Sequence, residues 1–332
     1  MLTLKMRRSS LRTVALVLLA AAAFGVSPAT PAAPPTLTFH VFARTGHHMD
    51  SIVWTGTQFL YVENTANTVW AAPPAGGPIR QFATMPKLVE ETRCVLSPGT
   101  HGFAPGAIFC ASPDNKIYEI SADGTSVGVF ANLPAPYPPA SDGALAFDDV
   151  GAFGYRLVAA TGRSGVATVS GGTVFAIDSS GAVTKIGGYP GPGGADELVI
   201  APAGFGYAAG DALLVVDPGP SSGTLVAMDA SGKTRVIAAL PDGPNPIVVI
   251  PKTAPRTGKP APGFYMTHDL SQNVYFAPAA QLAPFAGNVL VGGEARAHFW
   301  IVEPHGLGFV KVAVRNNFRD LRFSFEGAIF VP

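Results

Sequence analysis

Residues 59–86, FLYVENTANTVWAAPPAGGPIRQFATMP, decide the fold. Two β-rich runs, 59–63 and 68–71, flank a polar turn, and a Pro/Gly turn at 73–77 leads into a third run, 78–83. Branched and aromatic residues suit a pleated strand, and Asn, Gly and Pro set the turns. The pattern returns as NKIYEISADG (115–124) before 127–131 and as GTVFAIDSSG (172–181) before 183–186. It returns again as GTLVAMDASG (223–232) before 234–237 and, more loosely, as HFWIVEPHG (298–306) before 309–314. Asp-x-x-Gly between apolar runs is hairpin chemistry, because Asp bonds its own backbone and Gly accepts positive φ.

Each hairpin follows another β-rich run: 107–111, 156–160, 212–216, 263–267 and 289–292. Before most of these lies a further run, starting near Ser51, Glu91, Asp142, Asp196, Asn245 and Asp320. Four strands per unit, with the first five starts roughly 40 to 54 residues apart, is the period of propeller blades. Six first strands predict an all-β, six-bladed β-propeller, with five or seven blades left open by the long last gap, which holds an extra piece around 281–288. Residues 320–325 and 328–331 match only a first and second strand, and 37–43 reads as a stray outer strand. The two chain ends are therefore expected to share the closing blade and remove a sheet edge.

Residues 1–33 read as a secretory signal: Lys5, Arg7, Arg8 and Arg12, then the apolar run 14–26, then small residues with cleavage expected within 29–33. Arg7-Arg8 also resembles a twin-arginine signal. A Pro-rich linker (34–36) leads to one propeller domain, 37–332, secreted or periplasmic. No later stretch has the ~18 apolar residues of a membrane span. Charge is sparse, at 13%, and balanced at 22 against 22, so there is no basic face for nucleic acid. The partner expected is a small molecule, with a protein as the alternative. Cys94 and Cys110 fall in the first two strands of one hairpin, and in an exported chain that placement predicts a disulfide.

In an antiparallel blade, the loop leading into the first strand and the loop joining the second to the third lie at the same end. Polar residues at the start of each first strand should therefore converge at one mouth of the ring. Those positions hold His47, His48, Asp50, Glu91, Arg93, Asp142, Asp196, Asn245 and Arg319, with His268 at the second-to-third turn of the fifth unit. Carboxylates with an Asn carbonyl are hard oxygen ligands, suited to Ca²⁺ or a similar ion, and a neighbouring Asp or His supplies a base. The expected metal set is Asp50, Asp142 and Asn245, with His48 and Asp196 catalytic. His47, Glu91, Arg93, His268 and Arg319 are expected to bind ligand. HExxH, GxSxG, a Walker A pattern and a dinucleotide fingerprint are all absent.

The repeat, with SIVW (51–54) followed by FLYV (59–62), resembles the six-bladed propellers of the SMP-30/gluconolactonase and NHL-repeat type, and streptogramin-lyase-like propellers equally. The lactonase branch implies a divalent metal held over the channel by one acid, asparagines and an Asp from separate blades. Asp50 would match the acid, Asn245 an Asn, and Asp142 or Asp196 further ligands. The resemblance implies a metal-assisted hydrolase or lyase acting on a small cyclic ester or sugar-derived substrate. A non-catalytic ligand- or protein-binding propeller is the alternative. A quinone-dependent sugar oxidoreductase is a distant third reading, because the channel lacks an obvious cluster of basic cofactor ligands.

Overall fold

Six antiparallel sheets stand around a common axis, each with one strand of its own at the centre. The computed structural model describes residues 34–89, 93–134, 142–162, 171–219, 221–252, 257–294, 296–318 and 325–332. The expected signal segment, Glu91 and Arg319 lie outside them. Of Asp142 only the backbone is described.

Blades I to IV are laid down in chain order. They are Met49–Trp54, Phe59–Glu63, Ala66–Ala72 and Arg80–Val89; Cys94–Leu96, Ile108–Ser112, Lys116–Ile120 and Val127–Asn132; Asp142–Phe147, Leu157–Gly162, Thr173–Ile177 and Val183–Gly188; and Gly194–Ile200, Ala212–Asp217, Gly223–Met228 and Thr234–Leu240. In each, the first-named strand is innermost.

The last two blades are interleaved, and here the sequence expectation needs correcting. Blade V starts with Pro244–Val249 but continues with Val289–Gly293, Phe299–His305 and Gly308–Asn316. The run read as its second strand, Gly263–His268, belongs with Asn273–Pro278 to blade VI. The extra piece is the return path, two short 3-10 turns at Ala279–Gln281 and Ala283–Phe285. Two similar apolar runs, 263–268 and 289–293, compete for one slot, and local pattern cannot say which sheet each joins. The chain ends do share the closing blade: Phe325–Val331 is its inner strand and His40–Arg44 its outer one. Phe325–Val331 is one strand, not the end of a first and the whole of a second. The stray N-terminal strand is split, since Thr36–Leu37 instead pairs in parallel with the outer edge of blade V.

The core lies between neighbouring sheets, where side chains such as Phe59, Tyr61 and Tyr265, or Val174, Leu214 and Val226, are removed from water. The Asp-x-x-Gly turns explain both the hairpins and the seams. Asp178 Oδ1 accepts from the Ser180 N–H (2.9 Å), the Ser180 hydroxyl (2.6 Å) and the Ala182 N–H (3.1 Å). Asp229 repeats all three bonds with Ser231 and Lys233. The closing glycine then lies against the outer strand of the preceding blade. A Cβ at Gly181 would stand 2.3 Å from the Phe130 carbonyl oxygen, and one at Gly232 would stand 2.5 Å from that of Ile186. Gly181 also has φ +82°. Gly181→Ala combines a left-handed backbone with a clash against backbone, and should cost about 2 kcal/mol or more in chemical denaturation. A loss below about 0.5 kcal/mol would show that the seam yields freely.

Candidate functional site

The mouth of the ring is organised around Arg93, which enters blade II one residue before its inner strand. Its side chain is 3% exposed. Nη1 donates to the Asp50 carbonyl of blade I, and Nη2 donates to Asn245 Oδ1 of blade V. Nη2 also donates to the Glu326 carbonyl of blade VI at 2.8 Å, and Nε lies 3.3 Å from Glu197 Oε1 of blade IV. The Arg93 backbone N–H donates to the Gly143 carbonyl of blade III at 3.1 Å. One residue thus touches all five other blades. A guanidinium suits this place because its planar N–H groups point in several fixed directions at once.

The surrounding acids are tied into the same layer. Asn245 Nδ2 donates to Glu326 Oε2 at 2.9 Å, and Glu197 Oε2 accepts the Ile247 N–H at 2.6 Å. Burial works against the charge of Arg93, but Glu197, Glu326, Asp50 and Asp196 outweigh it and hold its pKa above the ordinary value. Burial pushes the Glu197 carboxyl up to about 7, against the pull of Arg93 and the Ile247 N–H. A carboxyl with a higher pKa in the fold binds its proton more tightly there. It therefore favours the fold at low pH and loses that contribution as pH rises. The contribution is complete below the ordinary value of 4.5 and gone above about 7. Stability should fall across that window in denaturant titrations, and Glu197→Gln should flatten this part of the profile.

Below this layer the channel becomes apolar. A cavity of about 320 Å³ takes wall residues from all six inner strands, beginning at Ile52, Arg93, Glu197, Ile247 and Ala328. It runs down to Leu96, Phe147, Val199, Val249 and Phe330. Arg93 and Glu197 are the only charged side chains among its described walls.

The other expected site residues are spread around the mouth. His47 Nδ1 lies 2.8 Å from Glu63 Oε1, whose partner oxygen accepts Trp70 Nε1–H at 2.7 Å. His48 points the other way, with Nδ1 3.0 Å from Asp269 Oδ1 in blade VI. The neighbouring residues therefore serve different blades. His268 sits at the corresponding turn of blade VI rather than of the fifth blade as expected, because its strand joins the closing sheet. Its Nδ1 accepts the Ser271 N–H at 3.1 Å, and burial lowers its pKa, favouring neutral imidazole. Asp196 turns toward the edge between blades IV and V, where Asp196, Asp217 and Glu294 bring one carboxylate oxygen each within 4.8 Å of one another. The expected disulfide is present: Cys94 and Cys110 are direct cross-strand partners with Cα atoms 4.1 Å apart.

A divalent ion on the axis does not fit these residues. Asn245 Oδ1, the atom a metal would take, already accepts from Arg93, and an added ion would stand beside a buried positive charge. The carboxylates of Asp196, Asp217 and Glu294 do have hard-donor chemistry. Glu326, Asp217 and Glu294 were not singled out in the sequence. Glu326 lies inside an inner strand whose start was placed at Asp320, while Asp217 ends one second strand and Glu294 follows another, where an acid reads as ordinary turn chemistry.

No family model matches the chain, and no curated protein does. Solved structures overlap it in fold. The apo soluble aldose sugar dehydrogenase of Escherichia coli does so at TM-score 0.53 with 11% identity, over 84% of this chain and 89% of that one. PQQ-bound aldose sugar dehydrogenase of Streptomyces coelicolor gives 0.50 and 14%, over 86% and 90%. A chain of a nidogen/laminin complex gives 0.50 and 9%, over 85% and 84%. A putative gluconolactonase is also among the neighbours, but its TM-score of 0.43 is too low to carry an argument. Identities this low establish the propeller fold, and the chemistry has to be read from the residues.

Proposed function

We propose that this protein is exported and that its ring binds a small molecule on the axis, without requiring turnover. The cavity carries this reading: it is walled by all six blades, apolar along its length and polar at one end. Such a site suits a ligand with an apolar body and one hydrogen-bonding end, seated toward Arg93 and Glu197. The targeting pattern of residues 1–33 and the disulfide support export. N-terminal sequencing of the exported protein should find a start just after 29–33.

The mature protein should bind an uncharged, environment-sensitive dye such as Nile red at one site per chain. Val95→Trp, which places an indole in the cavity wall, should abolish binding while circular dichroism stays unchanged. Equal binding by the folded variant would sink the reading.

A metal-assisted hydrolase or lyase is the second reading, favoured by the grouping of Asp196, Asp217 and Glu294. Those three would hold the ion, which would supply Lewis-acid polarisation of an ester carbonyl. His48, oriented by Asp269, and His298, paired with Asp242, are half-exposed imidazoles on the same mouth. Activity on lactones or esters that disappears in Asp217→Asn while the fold survives would favour it over plain binding.

A further inference from the structure

The resemblance read in the sequence calls for a divalent ion where the six inner strands begin. In this chain a side chain of its own holds that place. The Arg93 guanidinium bonds the Asp50 and Glu326 carbonyl oxygens and Asn245 Oδ1, and its Nε faces the Glu197 carboxylate. These are the kinds of oxygen donor a hard cation would gather from separate blades. Asn245 is further fixed by the hydrogen bond that its Nδ2 donates to Glu326, so its carbonyl oxygen is aimed at Arg93 and away from the carboxylate. A metal at that point would need Arg93 withdrawn from a position in which it is 97% removed from solvent.

We infer that Arg93 is the permanent axial cation of this propeller and replaces the metal ion there. The consequence is chemical as well as structural. A guanidinium donates hydrogen bonds and carries charge, but it offers no open coordination position and does not activate water. A molecule seated in the channel therefore meets a hydrogen-bonding Arg–Glu pair. This inference does not rest on the ligand-binding reading, because it concerns what holds the axis with or without a ligand.

The test uses the full mature protein. Metal content and thermal unfolding are measured before and after EDTA treatment in wild type, Asn245→Ala and Asp217→Asn. Wild type is expected to carry no ion that depends on Asn245, and any change of Tm on chelation should persist in Asn245→Ala. An ion lost in Asp217→Asn but kept in Asn245→Ala belongs to the outlying carboxylates and supports the inference. An ion near one per chain that is lost in Asn245→Ala and kept in Asp217→Asn overturns it.

The charge requirement is tested separately by comparing Arg93→Lys with Arg93→Gln. The lysine variant should retain roughly half of the ~6 °C lost by the glutamine variant. Equal losses would overturn the cationic role. If neither variant folds, the Asn245 comparison decides alone.

Discussion

Arg93→Ala is expected to cost the ring about 3–5 kcal/mol, the usual loss when one partner of a buried ionic network is removed. For a domain of this size that is roughly 5–8 °C in Tm, measurable by calorimetry. The loss has two sources. Glu197, left buried without its guanidinium, must take up a proton or remain as an uncompensated charge. The Asp50 and Glu326 carbonyls and Asn245 Oδ1 also lose their donor in a place water does not readily reach. Because the bonds reach every other blade, the variant should unfold in one transition at lower temperature. A loss below about 1 kcal/mol would mean that the layer is slack and the ring is held by the seams alone.

Removing the disulfide should have the next largest effect. Cys94 and Cys110 are 16 residues apart, and cross-linking a loop of about 15 residues contributes about 3 kcal/mol. The double variant Cys94→Ala/Cys110→Ala should therefore unfold at lower guanidinium concentration with a nearly unchanged m-value. Cys94 directly follows Arg93, and its backbone N–H donates to Ser51 Oγ of blade I at 3.0 Å. The cross-link thus steadies the strand that presents the guanidinium. Its loss should combine non-additively with Arg93→Lys in a double-mutant cycle, with a coupling of about 0.5 kcal/mol or more. Strict additivity would show that the two features act independently.

What could be read from the sequence follows from the range of the forces involved. The Asp178 and Asp229 turns announce themselves because the carboxylate bonds residues two to four positions on, so local residue types suffice. The blade period follows from those turns, and with it the expectation that Asp50, Arg93, Asp196 and Asn245 stand at one mouth. The Cys94–Cys110 pairing was legible for the same reason, since both lie in one hairpin. The interleaving of blades V and VI was not. Gly263–His268 and Val289–Gly293 have equivalent apolar character, and only packing with distant strands distinguishes them. Arg93 could be named as a polar residue at the mouth, yet its bonds span up to 233 residues of chain, and no local pattern encodes them. Glu326 was hidden by the same distance and by a misplaced strand start.

The make-up of blade VI bears on how the protein comes into being. Its inner strand comes from 325–331, its middle pair from 263–278 and its outer strand from 40–44, which lies more than two hundred residues before its partners. As the chain is synthesised, His40–Arg44 emerges long before any strand it can pair with. It remains an open edge until Asn273–Pro278 arrives. Blades I to IV can gather in order behind it, but the axial layer is complete only when Glu326 is in place. Until 325–331 is in place, a ring built from the other segments has one blade without its inner strand.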